Sequence, residues 1–258
     1  MAPSDRTEAE PHQEAFRALL SRAAPKAENE IRARAAHTLI LASDAEPLAA
    51  WLTKARLRRA ILRERSTGAP SNKIAEAQLH RNLSRTILGS LSALWLLDGR
   101  IPSGETPDCV RFFAANGDEQ GAEVALLATR LGNLEAFRVV VSDLASSFAA
   151  IGQSPSGIAP ALMASNGAIA LLAPYFILSR HGIEGRTLSP VIDEFLAAVA
   201  PQWRQAVRLP FLSSGKSSLG ETREPGRLVL RATCCAKYAC GHRGFCGTCP
   251  KRLPDDRT

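Results

Sequence analysis

Cysteine is concentrated at the C-terminal end of the sequence. Five of the six cysteines lie between residues 234 and 249, a stretch of sixteen residues that contains two adjacent thiols. Thiols at this density serve a disulfide framework, a zinc site or an iron–sulfur cluster. The rest of the chain is nearly free of sulfur, with Cys109 and two methionines. The cysteines therefore mark the place where we expect chemistry.

The disulfide alternative agrees least with the rest of the sequence. A chain of 258 residues buries enough surface to fold without covalent bridges. Its N-terminus is polar and acidic, without a basic segment followed by an apolar run, so we expect a cytoplasmic protein whose thiols stay reduced. Adjacent cysteines also pair poorly with each other, because the bridge strains the peptide between them.

The spacing of the remaining cysteines suits a metal. Cys246 and Cys249 form a C-x2-C pair that presents two sulfurs from one tight turn, and Gly247 allows the backbone to close around them. The second pair, Cys234 and Cys235, consists of neighbours. Neighbouring side chains of an extended segment point in opposite directions, so they chelate one zinc ion awkwardly. A two-iron cluster is more tolerant because it divides four thiolates between two metals, although tetrahedral sulfur coordination suits either metal.

The pattern C-C-x10-C-x2-C after a basic, strand-like run resembles the FhuF family of ferric siderophore reductases. The resemblance covers residues 227–250 and includes Arg231 before the first pair, Tyr238 between the pairs, Gly247 and Pro250. In that family four cysteines hold a [2Fe–2S] cluster. The residues to which the resemblance assigns this role are Cys234, Cys235, Cys246 and Cys249.

The resemblance assigns no ligand role to three further residues near or outside the pattern. Cys240 lies between the pairs, where we expect it either to replace a ligand or to be a nearby thiol. Cys109 stands alone, as a small apolar filler usually does. His242 is a candidate ligand if the site instead holds zinc or a mixed set of ligands.

The reaction that the resemblance implies is the one-electron reduction of a ferric siderophore, with hydroxamates as the first class to consider, and release of Fe(II). The implied partners are the siderophore and an unidentified electron donor. The cationic neighbours of the cysteines either favour the more negative, reduced cluster or serve solubility; they are Arg231, Lys237, Arg243, Lys251 and Arg252. The candidate substrate-binding residues are Lys237, His242 and Arg243.

Positive charge is densest between Lys54 and Arg65, where six Lys or Arg residues accompany Glu64, in a chain of net charge +7. We interpret this segment as a solvated amphipathic helix rather than a nucleic-acid or anionic-lipid site. Its predicted apolar stripe consists of Leu48, Trp51, Leu52, Ala55 and Leu62.

Two other functions stay open: a zinc-stabilised interaction module, and a redox-sensing protein that binds nucleic acid. We expect no nucleic-acid partner, because no nucleic-acid-binding fold pattern accompanies the charge. A peripheral association with a membrane is left open.

The elements that position the cysteines are predicted to be mainly α-helical, with a small β-hairpin before the C-terminal segment. We expect a disordered tail over 1–12, a helical domain over 13–205, a hairpin or linker region over 206–226 and a [2Fe–2S]-binding segment over 227–258. The predicted helices are 13–22, 27–42, one that begins at 44–47 and includes the basic segment, 71–97, 123–131, 134–150, 160–179 and one that begins at Ser189–Pro190.

The stretch from Leu144 to Ser179 carries no charged residue. We interpret it as buried protein rather than a membrane span, because prolines interrupt it and no aromatic belt flanks it at both ends. Single histidines in helical or tail contexts are expected to be packed or surface residues rather than catalytic ones. These histidines are His12, His37, His80 and His181.

Overall fold

The structure, a computed structural model, describes most of the helical part of the chain and portions of the C-terminal segment. The described residues are 10–36, 46–48, 52–103, 110–114, 122–126, 129–149, 151, 157–211, 228–235, 237–240 and 248–249. The predicted tail up to residue 9 and the predicted helix end at 37–42 lie outside them.

Helices dominate the described residues, which confirms the predicted fold class. In chain order they are α1 (Pro11–Leu20), α2 (Pro25–Ala36), α3 (Lys54–Ser66), α4 (Asn72–Asp98), α5 (Leu134–Ala149), α6 (Pro160–Leu171), α7 (Ala173–Arg180) and α8 (Gly185–Val199). Two 3-10 helices cover Pro201–Ala206 and Lys237–Cys240.

The strands are short and antiparallel. They are β1 (Glu46–Pro47), β2 (Arg100–Pro102), β3 (Val110–Ala114), β4 (Ala122–Leu126), β5 (Thr129–Leu131), β6 (Val207–Arg208) and β7 (Leu230–Arg231). Strand β3 pairs with both β1 and β4, β2 pairs with β5, and β6 pairs with β7. The last pair confirms the hairpin predicted around the Gly/Ser-rich loop, with Val207 opposite Arg231.

Helix α4 is the central element of the fold. The Ser71 hydroxyl accepts a hydrogen bond from the Ile74 amide at its start, and Gly99 ends it in the left-handed conformation, with φ of 66°. Its side chains are buried on nearly all sides between Ala75 and Leu97, because helices α1, α2, α3, α6 and α7 surround it. Helix α4 therefore carries both the core and several buried polar residues.

Helices α6 and α7 cover the uncharged stretch. The two helices are bent by 52° at Leu172 instead of forming one continuous helix over 160–179. Among the described residues, no single helix has the length and apolar character needed to cross a membrane, while this bent pair meets the length and composition test only when taken together. Half of the residues of α6 and most of those of α7 are buried, in line with the buried interpretation.

The prediction of a helix over 123–131 is wrong. Residues Ala122–Leu126 form β4 against β3, and Thr129–Leu131 form β5 against β2. Strand formation here depends on partners elsewhere in the chain, which a local periodicity cannot reveal. The neighbouring prediction is confirmed, since α5 follows directly and the Asn133 side chain accepts a hydrogen bond from the Ala136 amide at 2.9 Å.

The start of the basic helix also differs from the prediction. Glu46 and Pro47 lie in β1, an edge strand where proline is tolerated, and α3 begins at Lys54. Thr53 is extended, with φ of −63° and ψ of 149°, so α3 begins a new helical phase in which Ala55 and Leu62 of the predicted stripe are exposed. Leu48 and Leu52 of that stripe do pack on the core, and Trp51 lies outside the described residues. The inward side chains of α3 are instead Leu57, Ala60 and Ile61.

The last helix begins earlier than predicted. Helix α8 starts at Gly185, because the Glu184 carbonyl accepts hydrogen bonds from the Thr187 and Leu188 amides and forms the first turn. Pro190 lies inside the helix rather than at its start.

Candidate metal centre

The two ends of the cysteine segment, defined as residues 231–249, are held together by Arg231 and Thr248. The Arg231 amide donates to the Thr248 carbonyl at 2.9 Å, and its side-chain Nε donates to the Thr248 hydroxyl at 3.1 Å. Arg231 belongs to β7, three residues before Cys234, and Thr248 directly precedes Cys249. The first cysteine pair and the last cysteine are therefore tied to one place in the fold.

Arg231 also connects this segment to the helical core. It is buried, and its Nη1 donates to the Asn166 side-chain oxygen on α6 at 2.6 Å. The Asn166 nitrogen lies 3.2 Å from His80 Nδ1 on α4, and the Ser84 hydroxyl lies 3.3 Å from the same nitrogen. This Arg231–Asn166–His80 chain joins β7, α6 and α4 through buried polar groups, which are strongly held when paired.

His80 is adapted to accept hydrogen bonds. Burial, together with the positive charge of Arg231, lowers its pKa from 6.5 to about 4. The imidazole is therefore neutral at physiological pH. With Asn166 donating to Nδ1, the proton of the neutral ring belongs on Nε2.

Backbone contacts fix the segment around the first cysteine pair. The Gln78 side chain of α4 donates to the Cys235 carbonyl at 2.8 Å, and the Ala232 amide donates to the Ala206 carbonyl at 2.9 Å. The Thr233 hydroxyl donates to the Ala161 carbonyl at 3.3 Å. Helices α4 and α6 thus hold the peptide before and at the cysteines in place.

The 3-10 helix that ends at Cys240 lies against α4 and against the end of α3. Gly68, just after α3, has a φ of 111°, and a Cβ atom built there would lie 3.1 Å from the Cys240 carbonyl oxygen. Both the conformation and the close approach of the backbone therefore favour glycine at this position.

The described cysteines differ in exposure. Cys235 and Cys249 are each 2% exposed, while Cys234 and Cys240 are partly exposed. None of these four is bridged to another of the four. Within the described part of the chain, no group of three or more His, Cys, Asp or Glu side chains is arranged to hold one metal ion.

Several predicted site residues lie outside the described residues: Cys109, His242, Arg243, Cys246, Lys251 and Arg252. Lys237 begins the 3-10 helix with Tyr238 beside it, and the description of both covers the backbone alone.

The donor chemistry of the described cysteines fits an iron–sulfur cluster. Three of the four assigned ligands are described, two of them deeply buried and anchored through their neighbours. A [2Fe–2S] cluster takes two protein ligands on each iron, so it needs two pairs of thiolates rather than three around one ion. Buried thiolates also suit zinc, so the donor type alone does not choose between the metals.

The sequence did not point to the polar residues that support the segment. Asn166, Gln78 and His80 contact it or one another only through the fold, across 65 to 157 residues of sequence. One signal was present: Asn166 is a polar residue in an uncharged, apolar helix, where a buried amide needs a partner. The prediction that His80 is a packed histidine is confirmed, and it holds for His12 as well.

Comparison of the chain with models of protein families, with curated proteins and with solved structures finds no match.

Proposed function

We propose that the chain is a ferric siderophore reductase that works through a [2Fe–2S] cluster held by Cys234, Cys235, Cys246 and Cys249. The observation that carries the proposal is the pair of hydrogen bonds between Arg231 and Thr248. It ties together the residues that flank the C-C-x10-C-x2-C pattern, three residues before Cys234 and one before Cys249, and this supports a shared cluster, which needs both cysteine pairs in one place.

The surroundings of the cysteines support a redox role. Gln78 of α4 donates to the Cys235 carbonyl, and Asn166 of α6, which is itself bonded to His80, accepts from Arg231, so two helices hold the segment. A cluster held by a segment that is fixed in this way would keep the same geometry in two oxidation states. Arg231 adds a buried cation that favours a more negative, reduced centre.

The proposed reaction needs one electron for each iron released. The bound cluster would supply that electron. The substrate is a ferric siderophore, in which hard oxygen donors hold Fe(III). The Fe(II) formed by the electron is softer and dissociates from these donors more readily. Hydroxamate oxygens accept hydrogen bonds from cationic donors, the role proposed for Lys237, His242 and Arg243. We place this reaction in the cytoplasm, where reduced thiols persist.

The first test concerns the ligands. In protein purified without oxygen, Cys249→Ser should abolish the visible and EPR signals of the cluster, because it removes one of four thiolates. Cys240→Ala and Cys109→Ser serve as controls and should each retain about two iron and two sulfide per chain. Loss of iron in Cys240→Ala would assign a different ligand set.

The second test concerns the reaction. Protein reduced with dithionite and freed of excess reductant should be reoxidised by a ferric trihydroxamate, with one Fe(II) trapped by a ferrous chelator for each electron stored. A colourless protein with stoichiometric zinc would refute the proposal and favour the interaction module. A coloured protein that reduces none of several ferric chelates would be an electron carrier instead.

A further inference from the structure

Helix α3 presents a strongly basic face to solvent. Successive residues of an α-helix are rotated by about 100° around its axis. On this geometry the exposed residues of α3 occupy roughly half of its circumference. Leu62, which is 56% exposed, lies within this arc. The cations of the arc, here named the basic face, are Lys54, Arg58, Arg59, Arg63 and Arg65.

The acidic residue of α3 does not neutralise this face. Glu64 is on the inward half of the helix, and its carboxylate accepts a hydrogen bond from the Asn82 side chain on α4 at 3.0 Å. The inward half also carries Leu57, Ala60 and Ile61, which pack on the core. Among the residues of α3 itself, those on the outward half therefore carry charge of a single sign.

The basic face runs toward the cysteine segment. Helix α3 ends at Ser66, and two residues later Gly68 lies against the carbonyl of Cys240. Both α3 and the 3-10 helix that ends at Cys240 pack on α4. The cationic surface and the proposed redox centre are therefore neighbouring parts of one structure.

We propose that the basic face of α3 is the docking surface for an acidic one-electron carrier protein that reduces the cluster. This inference rests on the proposed function. The carrier loses one electron and the cluster gains one, and no bond is made or broken.

The size and composition of the surface favour a protein partner. A helix of thirteen residues is about 20 Å long, which suits the small interfaces of transient redox encounters. An exposed leucine surrounded by arginines is typical of a protein interface, where an apolar centre has a polar rim. Charge of one sign beside a redox centre also steers an acidic carrier toward it and raises the association rate.

The probe for the experiment is a reduced plant-type [2Fe–2S] ferredoxin, mixed without oxygen with the oxidised protein in a stopped-flow instrument. The wild-type rate constant should fall about tenfold or more between about 0.05 M and about 0.5 M salt. The double variant Arg58→Glu/Arg63→Glu should lower the low-salt rate constant about tenfold or more, and Arg58→Gln/Arg63→Gln should give an intermediate value.

The matched control is Arg130→Glu/Arg186→Glu, which changes the net charge equally at exposed positions outside α3. It should stay within about twofold of the wild type. The docking surface would be refuted if the rate constant fell equally in the two charge-reversed proteins, or if the wild-type rate constant did not change with salt concentration. It would also be refuted by an unchanged ferredoxin rate in the α3 variant together with lost binding to a duplex DNA or to phosphatidylserine vesicles.

The proposed function is tested in a separate assay, the reduction of a ferric siderophore. Dithionite-reduced Arg58→Glu/Arg63→Glu should still reduce the ferric trihydroxamate at the wild-type rate, because α3 would act only in loading the electron. Failure of wild-type protein in that assay would refute siderophore reduction, while a salt-dependent ferredoxin reaction would leave the docking surface standing.

Discussion

Arg231 is the residue on which most of the contacts around the candidate centre depend. Its backbone pairs with Val207 in the hairpin and with Thr248, and its guanidinium bonds Asn166 and Thr248 in different directions. A planar guanidinium with several fixed donors can satisfy two acceptors at once, which an ammonium group on a flexible stem does poorly. The side chain therefore acts as a structural link as well as a charge.

We expect Arg231→Lys to keep the charge and lose the link. The variant should unfold with a free energy lower by about 2 kcal/mol, because a buried polar contact is left unmade, and it should bind less iron after reconstitution. Urea unfolding and iron analysis measure the two effects. The control is Arg208→Lys on the partner strand β6, where the side chain is exposed and the change should be nearly neutral. Equal behaviour of the two variants would show that the guanidinium contacts are dispensable.

At the residue scale, the sequence shows the cysteines of the candidate site but not the residues that hold them in place. The cysteine pattern can be recognised because the proposed ligands lie within sixteen residues of sequence. Asn166 and His80 could not be connected with it, because their contacts arise only when α4 and α6 pack together. Arg231 was noticed for its charge, whereas its two side-chain hydrogen bonds depend on the fold.

At the scale of elements, the end of α3 is a point of close contact with the cysteine segment. Gly68 and Gly182 both adopt positive φ values, of 111° and 94°. They differ in their surroundings, because a Cβ at Gly68 would lie 3.1 Å from the Cys240 carbonyl while nothing lies within 4 Å at Gly182. Comparing substitutions at the two positions therefore distinguishes the effect of backbone strain from the effect of contact with the cysteine segment.

We expect Gly68→Ala and Gly182→Ala each to lose about 1–2 kcal/mol of stability from the strained backbone. Only Gly68→Ala should also alter the visible spectrum of the reconstituted protein, since the added methyl must displace the Cys240 backbone. Thermal unfolding and absorption spectra provide the measurements. An unchanged spectrum in Gly68→Ala would mean that this contact does not transmit to the metal centre.

Elements with local signals were predicted well. Helix α4 follows from its apolar periodicity and from Ser71 at its start, and α5 follows from Asn133. The sequence of strands β4 and β5 predicts a helix instead, because short apolar runs fit either period until their partners are known. The predicted phase of α3 is wrong because the extended Thr53 separates α3 from the residues before it.

At the scale of the whole molecule, two buried histidines make hydrogen bonds at different positions of the core: one contacts α4 at Trp95, and the other belongs to α4 itself. His12 of α1 accepts a hydrogen bond from the Trp95 indole at 3.0 Å, and His80 accepts from Asn166. Burial first, and then the nearby charge of Arg138, lowers the pKa of His12 from 6.5 to about 4, as burial and Arg231 do for His80. Both hydrogen bonds therefore depend on a neutral imidazole that can accept.

The pKa shifts of these histidines predict a loss of stability in mild acid. A folded-state pKa below the unfolded value means that the unfolded chain binds more protons, so stability is complete above pH 6.5 and declines as the pH falls toward 4. For each histidine, the free energy of unfolding should fall by about 1 kcal/mol between about pH 7.5 and about pH 5.5. In His12→Gln the amide oxygen still accepts from Trp95 without titrating, so the pH dependence of the urea midpoint should fall by about half of the histidine contribution. The double variant with His80→Gln should remove nearly all of that contribution. A slope unchanged in His12→Gln would show that His12 is not held neutral by the core and that the acid sensitivity arises elsewhere.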